Sequence, residues 1–216
     1  METQKNKSVR VECVNISFNK MYSKIPAYIF GFHGCHESVY KRVIYDNKPM
    51  IKSTNNYDWL GHGIYFWENS YERAAEWAYS RYGKDGKVIG AFIDLGYCLD
   101  LTDYECIHTI KRGYDILVDL CKALNLDIPK NKSGGSKTDI LVRNLDCAVI
   151  QQVHENNNIS GLKEYDSVRG MFTEGKEIFP GSEIKEKTHV QVCIINPNCI
   201  KGLFVPKEAD LKYDLP

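Results

Sequence analysis

The chain has 216 residues, of which 43% are hydrophobic and 26% charged, with 28 Lys and Arg balanced by 28 Asp and Glu. That length supports one sizeable core and a single domain over 1–216, and a net charge of zero excludes the global basic field that binds nucleic acid nonspecifically. The eight cysteines form no CxxC pair and sit mostly among apolar neighbours, which predicts reduced, largely buried thiols and no metal.

Polar Met1 to Arg10 has no signal-peptide core, and no run approaches the roughly 18 apolar residues of a membrane span. A cytoplasmic protein without membrane contact is expected. Val9 to Phe18 alternates apolar and polar residues, as an edge strand does. Ala27 to His36 reads as an apolar strand ending in His33-Gly34, followed by a helix over about 37–45. After a polar loop comes Asp58-Trp59-Leu60-Gly61-His62-Gly63-Ile64-Tyr65-Phe66-Trp67-Glu68. Gly61 and Gly63 permit positive φ or a close backbone approach to a ligand, and Ile64 to Trp67 has the composition of a short buried strand. Asn69-Ser70 offers an N-cap, and Glu72 to Ser80 reads as a helix with Ala74, Ala75, Trp77 and Ala78 on its apolar side.

Further along, Val88 to Leu95 reads as a strand and Tyr97 to Leu101 as extended chain. Thr102-Asp103 caps a helix over about 103–124, and Thr138 caps a second through about His154. Pro129 to Lys137 is an exposed loop. Tyr165 to Phe172, His189 to Ile195 and Ile200 to Val205 are strands, with a Gly/Pro-containing loop over 175–187. Strands and helices mix without a strict βαβ rhythm, which predicts an α+β fold.

Several polar residues interrupt this pattern. His33 is either a histidine at a turn or an imidazole presented beside a glycine that admits a ligand. Tyr65 is either a core aromatic or a stacking surface for a planar ligand. His189 and Gln191 share one face of an alternating strand, pointing to solvent or into a cleft. Glu68, Arg169, Glu174 and Glu183 read as solvated charges. No P-loop, GxGxxG, HExxH or GxSxG motif is present.

Phe32-His33-Gly34, Gly61-His62-Gly63-Ile64-Tyr65-Phe66 with its following helix, and the late strand at 189–194 together resemble the diphtheria-toxin and poly(ADP-ribose)-polymerase branch of the ADP-ribosyltransferases. The resemblance runs over about residues 28–205, and the order and spacing of the elements agree. It implies an ADP-ribosyltransferase-like fold of two packed, mostly antiparallel sheets with flanking helices and a helical insertion at about 103–154. It implies NAD as the substrate, with His33 on the nicotinamide-side ribose and the Gly34 backbone on the carboxamide. Tyr65 would stack on the nicotinamide ring, Gly63 would lie in the NAD-binding loop, and a late-strand residue, often Glu, would hold a ribose hydroxyl. The late strand has no Glu, so His189, Gln191 or the nearby Glu183 stands in its place. A side-chain amide cannot act as a carboxylate base, and single ADP-ribose transfer is the activity expected, onto a protein or a nucleic-acid base. Small bacterial toxin-like or phage-defence effectors held by an inhibitor protein are similar. A catalytically inactive module that binds NAD, ADP-ribose or nucleic acid, and an NAD glycohydrolase, are the alternatives.

Overall fold

The structure, a computed structural model, describes residues 28–137 and 139–214. The expected strand over Val9 to Phe18 and the cap at Thr138 lie outside the described residues. In chain order the elements are β1 (Ile29–His36), α1 (Glu37–Ile44), β2 (Ile64–Glu68), α2 (Tyr71–Tyr82), β3 (Gly86–Ile93), β4 (Cys98–Asp100), α3 (Tyr104–Leu124), α4 (Asn144–Ile159), β5 (Ser167–Phe172), β6 (His189–Ile194) and β7 (Ile200–Phe204). The class is α+β, and every strand pair is antiparallel except β4 with β5.

The two packed sheets expected from the resemblance are instead one sheet of seven strands, ordered β4-β5-β6-β2-β1-β3-β7. The reason lies at its centre. β1 pairs with β3 along its whole length, from Ile29↔Ile93 to His36↔Gly86, but with β2 only at Gly31↔Glu68 and Phe32↔Trp67. That short ladder joins β4-β5-β6-β2 to β1-β3-β7.

The pleat assigns side chains to faces. Ile64 and Phe66 share one face with their partners Ile194 and Val192, and with Ile29, Ala91 and Ile93 they form a buried cluster. Tyr65 and Cys193 point the other way, where Leu60, Leu99, Val168, Ile150 and Val153 close over them beneath α4. α3 packs on α4 through Leu117, Cys121 and Val149. α1 covers Cys35 and Ile89 with Val39 and Val43.

The expected caps divide. Asp103 caps α3, accepting from Cys106 N at 3.0 Å. Ser70 occupies the cap position of α2 but makes no side-chain hydrogen bond there. α4 begins at Asn144 rather than 138, because its first amides are satisfied from a distance: Asn131 Oδ1 accepts from Leu145 N at 2.8 Å and Asp146 N at 3.3 Å. Lys132 and Val142 pair their backbones just before, which holds the intervening chain extended. Among the described residues, no helix is long and apolar enough to cross a membrane.

Candidate functional site

Beyond the Phe32↔Trp67 pair the β2 side of β1 has no strand partner among the described residues, and the sequence positions His33 and Gly34 there. Here a cleft of about 220 Å³ opens, lined by His33, Gly34, His36, Arg42, Trp77 and Tyr82 with the apolar Met50 and Ile51. α2 crosses directly over Gly34: a Cβ at that position would lie 2.5 Å from Ala74 O and 3.1 Å from Trp77 Cε3. Only a glycine lets helix and strand approach this closely.

His33 lines this gap, its ring 5.8 Å from that of Phe66. Its Nδ1 is 2.8 Å from the main-chain oxygen of Tyr65. A carbonyl only accepts, so Nδ1 carries the proton and Nε2 keeps the lone pair. Burial pulls the His33 pKa below its ordinary value, opposed by that hydrogen bond. The ring is therefore neutral at physiological pH and offers an acceptor to a hydroxyl.

Tyr65 is placed differently. Its hydroxyl donates to Gly61 O at 2.6 Å and accepts from Leu60 N at 2.8 Å, and its ring packs with the cluster beneath α4. Desolvation pushes its pKa far up. The two flanking glycines serve this loop in different ways. Gly61 adopts φ +76°, while Gly63 has no room for a side chain, since a Cβ would lie 2.4 Å from Cys193 Sγ. The aromatic surface that does reach the cleft is Trp77, 37% exposed, with Tyr82 edge-on to it at 5.9 Å. Sequence periodicity places Trp77 on the apolar side of a helix, and nothing local marks it as a cleft residue.

The late strand lies next to β2, with Gln191 opposite Trp67 and His189 beyond it. His189 is buried, its side chain 1% exposed, among Trp59, Trp67 and Phe172. Its Nδ1 donates to Lys187 O at 2.6 Å, and its Nε2 is buried without a partner. Burial lowers its pKa, so the ring is neutral. Gln191 is half-buried.

Two carboxylates exchange importance. Glu183 is exposed on the loop. Glu174 is the one that reaches the late strand, with Oε2 3.0 Å from Arg73 Nη2 and 3.7 Å from His189 Nδ1. Burial raises its pKa, partly offset by the Arg73 charge. Arg169 and Glu68 are not solvated either: Arg169 donates to both Glu68 oxygens, at 2.7 and 3.0 Å, and to Asp100 at 3.2 Å.

His33 and Gly34 thus share one cleft, while Tyr65, His189 and Gln191 sit on the neighbouring strands with Trp67 and Trp77, whose rings are 5.7 Å apart, between His189 and that cleft. A larger hollow of about 680 Å³ at the end of α3, among Cys121, Leu126, Ile128, Lys130 and Asn144, contains none of these residues.

The chain is similar to an uncharacterized protein of Methanocaldococcus jannaschii, at 23% identity over 188 residues covering 80% of this chain and 84% of that relative. No family profile and no solved structure matches it.

Proposed function

We propose that the chain is a NAD-dependent mono-ADP-ribosyltransferase whose donor site is the cleft at the open edge of β1. The observation that carries this reading is the strand order: β1, β2 and β6, which bear His33-Gly34, Tyr65 and His189 with Gln191, are consecutive neighbours in the sheet. Three segments scattered over 160 residues of sequence would then serve one site.

In this mechanism the bond between nicotinamide nitrogen and the ribose anomeric carbon breaks, and nicotinamide leaves with the bonding electron pair. The acceptor atom bonds to the anomeric carbon and gives up its proton. The protein's part is to hold the dinucleotide so that this carbon is open to attack and to place dipoles against the positive charge that develops on the ribose. His33 Nε2 accepts from a ribose hydroxyl, and the unpaired β1 edge at Gly34 offers backbone groups to the carboxamide. Trp77 supplies the stacking surface, because the Tyr65 ring is committed to the core and its hydroxyl to the loop. Tyr65 acts by fixing the 60–61 turn and by holding His33 through its own backbone oxygen.

On the late strand, the half-buried Gln191 opposite Trp67 is the partner for a ribose hydroxyl, with the Glu174–His189 pair nearer the start of the same strand. The lack of a late-strand carboxylate favours a second reading, a module that binds NAD without turning it over. Incubation with NAD labelled in its adenylate half separates the two. Label retained on protein or nucleic acid of a cell lysate after denaturation is expected, and its fraction names the acceptor. Binding of NAD without release of nicotinamide would support the module instead, and release without any labelled macromolecule would indicate a glycohydrolase.

A further inference from the structure

We infer that Arg42 is the phosphate-binding residue of this cleft, so that the site selects a nicotinamide nucleotide over the corresponding nucleoside. The inference rests on the donor-site reading above. Arg42 lies on the last turn of α1 and lines the cleft with His33, Gly34 and His36. It is half-buried, and among the described residues no carboxylate stands within ion-pair distance of its guanidinium. The one carboxylate of its own helix, Glu37, is taken by Lys41 at 2.8 Å. Among the described residues that line the cleft none is acidic. His36 is turned to the Ser38 amide and hydroxyl through Nδ1, which leaves Arg42 as the cationic group facing the space.

A guanidinium in a cleft wall with no carboxylate partner among the described residues keeps its donors free for an anion. Its planar fork fits the paired oxygens of a phosphate or a carboxylate, and of these a nicotinamide nucleotide carries the phosphate. The aromatic side of the same cleft, Trp77 and Tyr82, supplies a surface for a planar ring. A ring joined to a phosphate through a pentose has the two features that this wall addresses.

The test is a set of calorimetric titrations with nicotinamide riboside, nicotinamide mononucleotide, NAD and inorganic pyrophosphate, on the wild-type chain and on Arg42→Gln and Arg42→Lys. The wild type should bind the mononucleotide and NAD more tightly than the riboside. Arg42→Gln should weaken both phosphorylated compounds by about 10- to 100-fold, the loss of a charge-assisted hydrogen bond, and leave the riboside unchanged. Arg42→Lys should fall between. Equal losses for riboside and mononucleotide would show that Arg42 only supports packing, and unchanged affinities would remove it from the site; either overturns the inference. If no nicotinamide compound binds but pyrophosphate binds in an Arg42-dependent way, the phosphate assignment stands and the NAD reading falls. If nothing binds, both fall.

Discussion

The imidazole of His33 touches Tyr65 through the main chain, Nδ1 to carbonyl oxygen at 2.8 Å, and not through the phenol. Across the break in the β1–β2 ladder, this one hydrogen bond does what strand pairing does elsewhere. It also fixes the His33 tautomer, so its loss would alter both the gap and the chemistry on offer there.

The Tyr65 hydroxyl is worth testing for its structural role. Tyr65→Phe keeps the ring and removes the partner of Leu60 N and Gly61 O. Leaving buried backbone groups unpaired costs about 1–3 kcal/mol. Chemical denaturation should show a loss in that range; a loss near zero would mean that water replaces the hydroxyl and the turn does not depend on it.

Gly34→Ala tests the contact between β1 and α2. The added methyl would meet the Ala74 carbonyl at 2.5 Å, backbone that cannot rotate away. Overpacking of this kind costs about 1–3 kcal/mol, and the melting temperature should fall. A variant as stable as the wild type would show that α2 shifts freely over the strand.

Arg169 ties β2, β4 and β5 together through Glu68 and Asp100. All three side chains are largely buried, so Arg169→Met strands two carboxylates. Breaking a buried pair from one side typically costs about 3–5 kcal/mol. Urea unfolding of Arg169→Met and of the double variant Arg169→Met, Glu68→Leu should show partial recovery in the double. No recovery would place the cost elsewhere.

Stability should fall in mild acid. His154 is held down to about 4, first by burial and then by the nearby His62 charge, and its Nε2 has no partner. His33 and His189 are lowered for the same first reason. A histidine with a depressed folded pKa stays neutral in the fold, while the unfolded chain, titrating near 6.5, binds the extra proton. Its contribution is therefore complete above about pH 6.5 and is lost as pH falls through the window toward the folded value, by up to about 1.4 kcal/mol per unit per histidine. His154→Leu should lose less melting temperature than the wild type between pH 7 and pH 5. Equal losses would exonerate His154.

Much of the fold was legible because it is local. The alternation in His189 to Ile194, the apolar run of β1 and the periodicity of α3 depend on neighbours in sequence, and Asp103 caps its helix from the expected place. The start of α4 was not legible, since its cap is Asn131, thirteen residues before Asn144. The site divides in the same way. His33-Gly34 announces itself by a glycine beside a histidine at a strand end. Trp77, Arg42 and Glu174 do not, because an indole, a guanidinium and a carboxylate on ordinary helix and loop positions acquire meaning only when β1 parts from β2 or when the 173–188 loop folds back against His189. The joining of two halves into one sheet through two residue pairs has no sequence signature.

The decisive measurement is nicotinamide release from NAD by the purified chain with cell lysate as the acceptor source, beside His33→Ala and Trp77→Ala, with folding checked by circular dichroism. Release by the wild type is expected, with a loss of at least about 100-fold in His33→Ala, the scale on which removing one dipolar contact to a developing charge is felt, and a smaller loss in Trp77→Ala. Release that is unchanged in both folded variants would contradict the assignment of the cleft, and the absence of release together with the absence of any NAD-induced rise in melting temperature would contradict the proposed function itself.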